Sequence, residues 1–505
     1  MSSVLMVGIL LLVFSFLTEL FGYTNSYGWK HKKLLSVISI MLVCSASALI
    51  MHNHWVNIVA LVFLLSVPYR IINLSRQTKS KINDLYLYNI SSRSFAFLGS
   101  VQFLLAGFLV LLEVSNMQEV AAEIMTILFL FVITSASLII ALTTTKNVFK
   151  TKPRDSTILP NNELPTVTVA IAARNETPSL QACLDSVLAD DYPKLEILIY
   201  DDESQDNTLG IIKQFAHDGA RFIQGKDIPD KWLAKNYAYQ SLLDESTGEI
   251  IMYIGTDVRL HKDSIRKSVE VMLSKKVEMM CLMPKRTKEG LLASLIQPMR
   301  YWWELAIPRT KNSRPPVLST VWFVLRESLL AQGGFTSYKR AIIPEEHLAK
   351  NYSKSGRYAF IRTSNTLKIS SHKKFYEQWE TAIRTRYPQV HRRPEFVFLR
   401  TLMLAILWIP FIVLPILIIN YPINLVTLTL LISALYLLYS HILISSYTNP
   451  ISGLIAPFNF PIILILEIIA LNISMYRYEY SSVIWKKRDV SEKAMYVYPS
   501  LPKID

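Results

Sequence analysis

The chain has 505 residues, of which 51% are hydrophobic and 18% charged, and a formal net charge of +14. Such a composition excludes an ordinary soluble protein and leaves room for more than one domain, part of it in a membrane. The positive charge would suit nucleic acid, but much of it flanks apolar runs, where anionic lipid headgroups are the nearer partner; no DNA or RNA module is visible, and no nucleic-acid partner is expected.

Apolar runs long enough to cross a bilayer begin near Val4, Leu34, Phe95 and Ala122, with a shorter one from Trp55 to Tyr69. They predict an N-terminal transmembrane region over 1–145, of about five helices. No basic segment precedes the first run and no small-residue cleavage site follows it, so it reads as a span rather than a signal peptide. Basic residues gather where the runs turn back: Lys30, Lys32 and Lys33; then Arg70, Arg76, Lys79 and Lys81; then Lys146, Lys150, Lys152 and Arg154. With an outside N-terminus and five crossings, all three clusters face the cytoplasm, and so does the domain that follows.

That domain, 153–394, is mixed in polarity. TVTVAIAAR reads as a strand, and TPSLQACLDSVLADD as a helix with Leu180, Cys183, Leu184, Val187 and Leu188 inward. LEILIYDD is a second strand. SQDNTLGIIKQFAHDG is a second helix, with Thr208, Ile211, Ile212 and Phe215 inward, and ARFIQG and EIIMYIGTD supply two further strands. Strands separated by helices of this length predict an α/β domain with a mostly parallel sheet covered on both faces. Polar residues gather at the strand C-termini, where such sheets bind ligands: Arg174, Asn175 and Glu176; Asp201 and Asp202; Asp257. No Gly-x-Gly-x-x-Gly turn and no Walker lysine loop is present, which argues against a dinucleotide or P-loop site. The three cysteines, Cys44, Cys183 and Cys281, are too scattered for a disulfide framework or a metal cluster. LLASLIQPMRYWWELAI, with Arg300, Trp302 and Trp303, reads either as a helix in the headgroup layer or as a core helix of the domain.

A C-terminal transmembrane region is expected over 395–480, with runs at about 396–419, 425–444 and 454–475, and a tail over 481–505. Three full crossings would leave Lys486, Lys487 and Arg488 outside, against the charge rule. Either the piece around Pro457 and Pro461 is re-entrant, or one run lies along the interface or splits in two; an inside, cytoplasmic tail is the favoured reading.

The stretch AARNETPSLQACLDSVLADDYPKLEILIYDDESQDNT, taken with EIIMYIGTD and the later QGGF and EEHLA, resembles the family 2 glycosyltransferases. The resemblance implies a GT-A nucleotide-sugar-binding domain between two bundles of transmembrane helices. It also implies inverting transfer from a nucleotide sugar, a UDP-sugar ahead of a GDP-sugar. KWLAKNYA and VIWKKRD are similar to elements of the integral-membrane branch that modifies hopanoid, carotenoid or other lipid acceptors, so a membrane lipid hydroxyl is the expected acceptor.

The residues' roles follow from the resemblance. The family supplies Asp-x-Asp where this chain has Gly255, Thr256 and Asp257, so Asp257 alone would hold a divalent cation, Mg²⁺ or Mn²⁺, and otherwise is a turn residue. Asp202, Asp201 and Glu176 are candidates for the donor's nucleoside, although Asp206 and Thr208 suit helix capping better. Lys231, Trp232 and Lys235 are candidates for the diphosphate and sugar, and Arg384 for phosphate or a lipid headgroup. A base must deprotonate the acceptor hydroxyl, and in PEEHLA the choice falls on Glu345 or Glu346. The polymer-stacking Gln-x-x-Arg-Trp of processive synthases is missing from FYEQWETAIRTRYP, which favours single transfer over a polysaccharide synthase. A non-catalytic membrane protein retaining the fold is the remaining alternative.

Overall fold

The computed structural model describes residues 3–24, 29–50, 57–79, 97–102, 104, 118–153, 158–286, 299–309, 314–363, 365–448, 450–486 and 488–490. The chain opens with α1 (Ser3–Thr24), α2 (Trp29–Ile50), α3 (Asn57–Lys79) and α4 (Gln118–Lys150). Residues 97–102 are helical, while 105–117, in the run expected from Phe95, lie outside the described residues. Helices α1 to α3 pack on one another and share a buried ion pair, Arg70 Nε to Glu19 Oε1 at 2.7 Å, to which Ser39 donates at 2.8 Å. Charge inside an apolar bundle is tolerable only when paired in this way.

The middle domain runs β1 (Val167–Ala173), α5 (Thr177–Leu188), β2 (Leu195–Asp201), α6 (Thr208–Ala216), β3 (Ala220–Gln224), α7 (Ala234–Glu245), β4 (Ile250–Ile254), β5 (Val258–Arg259), α8 (Ser264–Ser274), β6 (Met279–Met283), β7 (Lys285–Arg286), β8 (Val321–Leu325), α9 (Arg326–Ala331), α10 (Pro344–Lys354), β9 (Tyr358–Arg362), β10 (Ser370–Ser371) and α11 (Phe375–Gln389). Seven strands form one sheet in the order β3-β2-β1-β4-β8-β6-β9. Only β8 runs antiparallel to its two neighbours. The strand pattern of period two decides which residues face which layer. Val169, Ile171, Ile199 and Met252 pack under α5, α6 and α8 on one face. Ala170, Leu198, Tyr253 and Trp322 face α7 on the other. The predicted inward residues of the first two helices are buried, with Leu188 half-buried.

The second of these cores does not stop at the domain. It continues through Trp302 and Leu305 into α4 (Ile140, Val148) and into α12 (Pro394–Asn420), α13 (Leu425–Thr448) and α14 (Pro450–Tyr480). Trp302 is fully buried against Phe460, and Trp303 Nε1 donates to Glu467 Oε1 at 2.9 Å. The described part of this stretch, 299–305, is thus a helix buried between the domain and the apolar helices; residues 291–298 lie outside the described residues.

Among the described residues, five helical segments are long and apolar enough to cross a membrane: Val4–Phe21, Glu123–Lys150, Pro394–Asn420, Leu425–Tyr447 and Gly453–Tyr480. They mark a membrane protein. Two other apolar stretches, Leu34–Ile50 and Ala60–Ser75, are shorter. Pro457 and Pro461, for which a re-entrant piece is one of the readings above, lie inside one continuous helix, α14. That helix follows the domain along most of its length: Phe460 meets Trp302, Ser474 Oγ accepts from Tyr387 N at 3.0 Å, and Tyr478 Oη donates to Arg384 O at 2.8 Å. Its other face exposes Leu454, Phe458, Ile462, Ile469, Tyr476 and Tyr480, a stripe at helical spacing. Past α14 the chain turns back as a short hairpin, β11 (Ile484–Trp485) and β12 (Arg488–Asp489), which sits against the domain.

Candidate active site

Parallel pairing aligns the C-terminal ends of β1, β2 and β4, with Ala173 opposite Asp201 and Ile171 opposite Ile254. Past these ends opens a cavity of about 800 Å³. On its wall lie Glu176, Asp202, Lys231, Trp232, Lys235, Asp257 and Arg384. Asp201, Glu345 and Glu346 are not on it. Asp201 points elsewhere: its Oδ2 accepts from Ser204 N at 3.4 Å, and its Oδ1 is buried without a hydrogen-bond partner.

Asp257 is held by a second, three-stranded sheet, β5-β10-β7. The antiparallel pairing of β5 with β10 sets Ser371 opposite Val258; Ser371 Oγ donates to Asp257 Oδ2 at 2.5 Å, and His372 N donates to Asp257 O at 2.8 Å. Burial opposes ionisation of Asp257, but Lys373, Arg286 and the Ser371 hydroxyl outweigh it and hold the carboxyl below its ordinary range. Gly255 makes room for this arrangement. A Cβ there would stand 2.6 Å from Asp257 Oδ1, so an aspartate at position 255 would displace the one that remains.

The far side of the cavity is built around Lys235, at the start of α7. The side chain of Asn236 next to it is fully buried and donates to the carbonyls of Tyr338 at 2.8 Å, Lys339 at 3.1 Å and Ala341 at 2.8 Å. These bonds clamp the segment leading into α10, and so set Glu345 against Lys235, with Nζ at 2.5 Å from Oε1. Glu345 is fully buried behind Lys235, and its Oε2 has no hydrogen-bond partner among the described residues. Glu346 instead faces Arg314, at 3.7 Å. Asp206 accepts from Thr208 N at 3.0 Å, one residue before the N-cap of α6, Asn207, whose own side chain makes no capping bond.

Cations crowd this space. Burial pushes Lys373 down to about 8, with Arg286, Arg384 and Arg300 adding to the effect and Asp257 opposing it. Burial, with Arg286 and Arg386, pushes Arg300 down to about 10. Burial also lowers Lys235, against the pull of Glu345. Positive groups that raise one another's free energy in a cavity are relieved by a polyanion, and this arrangement suits one. Sequence reasoning missed Arg286, Ser371 and Lys373, although the polar run SSHKK after a short apolar stretch was visible; their distance in sequence from Asp257 hid the connection.

Burial pushes Asp202 up to about 6 from 3.8, although Arg488 and Arg174 pull the other way. The folded protein therefore binds this proton more tightly than the unfolded chain. Its stabilising contribution is full below 3.8 and is lost as pH rises through about 6. Asp202→Asn is expected to melt no lower than the parent protein at about pH 7.5, and its relative advantage is expected to vanish near pH 4. A Tm below the parent's at the higher pH would contradict the sign.

Among the described residues no group of three or more His, Cys, Asp or Glu side chains converges as a metal site. Asp257 fits a divalent cation as a single carboxylate ligand, because Ser371 occupies Oδ2 and leaves Oδ1 toward Gly255. The other ligands would have to arrive with the substrate.

A parallel-dominated sheet with acids at its strand ends, a cation-lined cavity beyond them and apolar helices on both sides in sequence defines a nucleotide-type binding domain carried by a membrane protein. Within this domain, residues 168–332 match the family described as Glycosyl transferase family 2. Glycosyltransferase AglE of Haloferax volcanii is 31% identical over 110 residues, 21% of this chain and 35% of the relative, so the chain spans about a third of that relative's length. Among solved structures, the mannosyltransferase PcManGT from Pyrobaculum calidifontis, in complex with GDP-Man and Mn²⁺, is similar at 15% identity and a TM-score of 0.43, over 70% of this chain and 99% of its own. Glucosyl-3-phosphoglycerate synthase from Mycobacterium tuberculosis, in complex with Mn²⁺, UDP and glucosyl-3-phosphoglycerate, is similar at 16% identity and a TM-score of 0.31, over 46% of this chain and 81% of its own.

Proposed function

We propose that this protein is an inverting glycosyltransferase that moves one sugar from a nucleoside diphosphate donor to a hydroxyl of a membrane lipid. The observation that carries the reading is the pairing across one cavity of Asp257, at the end of β4, with Lys235 and the buried Glu345 behind it. The donor's nucleoside lies at the Glu176 and Asp202 end, and its diphosphate faces Asp257 and the cations, including Lys231 and Arg384; Trp232 walls the sugar. A divalent ion, Mg²⁺ or Mn²⁺, held by Asp257 together with donor oxygens, supplies charge neutralisation for the departing diphosphate. Lys373 and Arg286 supplement it. Glu345 is the base: its unpartnered Oε2 takes the acceptor's proton as the hydroxyl attacks the anomeric carbon from the face opposite the leaving group.

The lipid reading is supported by α11, which contributes Tyr376, Thr381 and Arg384 to the cavity wall and packs on α14. In this arrangement α14 lies in the interface with its exposed stripe in lipid, α12 and α13 cross, and both the domain and the hairpin face the cytoplasm. The donor to try first is a UDP-sugar. Membranes bearing the protein, given labelled UDP- and GDP-sugars, are expected to place a single sugar on organic-extractable lipid. Label in precipitable polymer would favour a synthase, and no transfer from any nucleotide sugar would end the enzymatic reading.

A further inference from the structure

The segment 299–305 brings to the cavity one cation that the donor does not use. Arg300 lies on the cavity wall, half-buried, and has no hydrogen-bond or ion-pair partner among the described residues. Its neighbours are pinned. Tyr301 Oη donates to Pro284 O at 2.9 Å and accepts from Arg286 Nε at 3.2 Å, Trp302 packs on Phe460, and Trp303 Nε1 donates to Glu467 Oε1 at 2.9 Å. The backbone of Arg300 is therefore fixed between the domain and the apolar helices, with its side chain on the cavity.

Acids near it are already used. Glu304, one turn along, accepts from Arg309 Nη2 at 2.8 Å, Arg314 Nη2 at 2.7 Å and Val317 N at 3.2 Å, while Glu467 accepts from Trp303 and from Arg386 Nη2 at 3.1 Å. Elsewhere on the wall, Lys486 pairs with Glu176 at 3.2 Å, Arg488 with Asp202 at 3.0 Å, and Lys235 with Glu345.

We propose that Arg300 binds a phosphate carried by the lipid acceptor beside its reacting hydroxyl, so that the acceptor is an anionic, phosphate-bearing lipid and not a neutral lipid alcohol. The inference rests on the transfer reaction proposed above and names the acceptor's class.

Charge is the first support. A nucleoside diphosphate sugar brings two negative charges, which one divalent ion cancels, and Asp257, Lys231, Lys373 and Arg384 complete the donor's surroundings. Arg300 is left over. Burial, with the guanidiniums of Arg286 and Arg386, pushes it down to about 10, so the charged form is held at a cost that an anion relieves. Position is the second. Arg300 stands on the segment that meets the apolar helices, the side from which a lipid enters, and its charge acts on Lys235, the partner of the base. An anion held there lies between the membrane side and Glu345. The commonest anion beside a hydroxyl in a membrane lipid is a phosphate, and the guanidinium fork matches two of its oxygens.

The test begins with membranes bearing the full-length protein, given labelled UDP-glucose or GDP-mannose, whose sugars are neutral. After organic extraction, the labelled product is expected to bind an anion exchanger, and to lose that binding once aqueous hydrofluoric acid has cleaved its phosphoester. Unlabelled membrane lipids, fractionated on the same exchanger and returned with purified protein to phosphatidylcholine nanodiscs, should accept sugar in the retained fraction and not in the flow-through. Arg300→Gln is expected to raise the KM for the retained fraction at least about tenfold, the loss of roughly one charge-assisted contact, with UDP and GDP binding unchanged by calorimetry. Arg300→Lys keeps the charge without the fork and should fall in between. A labelled lipid that flows through the exchanger, or an unchanged acceptor KM in folded Arg300→Gln, overturns the proposal while the transferase reading stands. Loss of nucleotide binding in that variant moves Arg300 to the donor and overturns it as well. The charge of the parent's product decides even where a variant fails to fold. If the parent transfers no sugar from any nucleotide sugar, the reaction itself has failed, and this proposal with it.

Discussion

Asp257→Asn is expected to cut transfer by about two to three orders of magnitude, equivalent to roughly 3–4 kcal/mol of transition-state stabilisation. The carboxylate is the one acid at the end of β4, and in the proposed reaction it anchors the divalent ion facing the leaving diphosphate. An asparagine keeps the Ser371 hydrogen bond geometrically possible, since its amide oxygen can accept at the Oδ2 position. It removes the charge that compensates Lys373 and Arg286. The effect should therefore appear in kcat and in the Mn²⁺ dependence more than in folding. Gly255→Asp, which would rebuild the two-acid motif, is expected to lower activity as well: its Cβ would already stand 2.6 Å from Asp257 Oδ1, and that carboxylate is pinned by Ser371 on its other side. Initial rates across a Mn²⁺ series for both variants check this. Metal-independent activity at the parent level in Asp257→Asn would reduce this residue to a turn aspartate.

Glu345→Gln is expected to spare donor binding and to lower kcat by roughly 10²- to 10⁴-fold, the range for losing a positioned base. Glutamine fills the same buried space and can still accept from Lys235, so the clamp made by Asn236 should survive. What disappears is the capacity to take a proton. Glu346→Gln serves as the contrast, because that carboxylate faces Arg314 and not the cavity-lining Lys235; its expected effect on kcat is less than about threefold, in line with a partly exposed ion pair. Single-turnover transfer and nucleotide titration, run side by side on the two variants, separate the roles. Equal losses in both, or loss of nucleotide binding in Glu345→Gln, would move the base elsewhere.

The sequence by itself determined the periodic features. Alternation in TVTVAIAAR and LEILIYDD and helical spacing in the segments between them were enough for a parallel-dominated sheet, because burial on both faces is written into local pattern. The same patterns placed acids at strand ends, and the length and polarity of the apolar runs marked the membrane regions. Local spacing also left two choices open. It could not say which of Glu345 and Glu346 meets Lys235: successive helical residues point in different directions, and the Asn236 clamp on the approach to α10 sets the helix so that one faces Lys235 and the other Arg314. Nor could it show that the Trp302 segment is buried between the domain and the apolar helices, since apolar spacing names no partner.

Only the tertiary structure decided what meets across large separations. Ser371 and Lys373 reach Asp257 because β5 and β10 pair, and nothing in the 110 or so residues between them announces that register. The course of α14 is likewise a matter of packing: hydropathy sees an apolar helix of spanning length, whereas its buried face, from Phe460 to Tyr478, is shared between the domain (Trp302, Arg384) and the apolar helices α12 and α13 (Phe411, Thr401, His441). That course returns the chain to the strand ends and lays Lys486 and Arg488 on Glu176 and Asp202. Periodicity records which face of an element is buried but carries no information about its partner; the identity of that partner emerges only when the elements close on one another in a shared core.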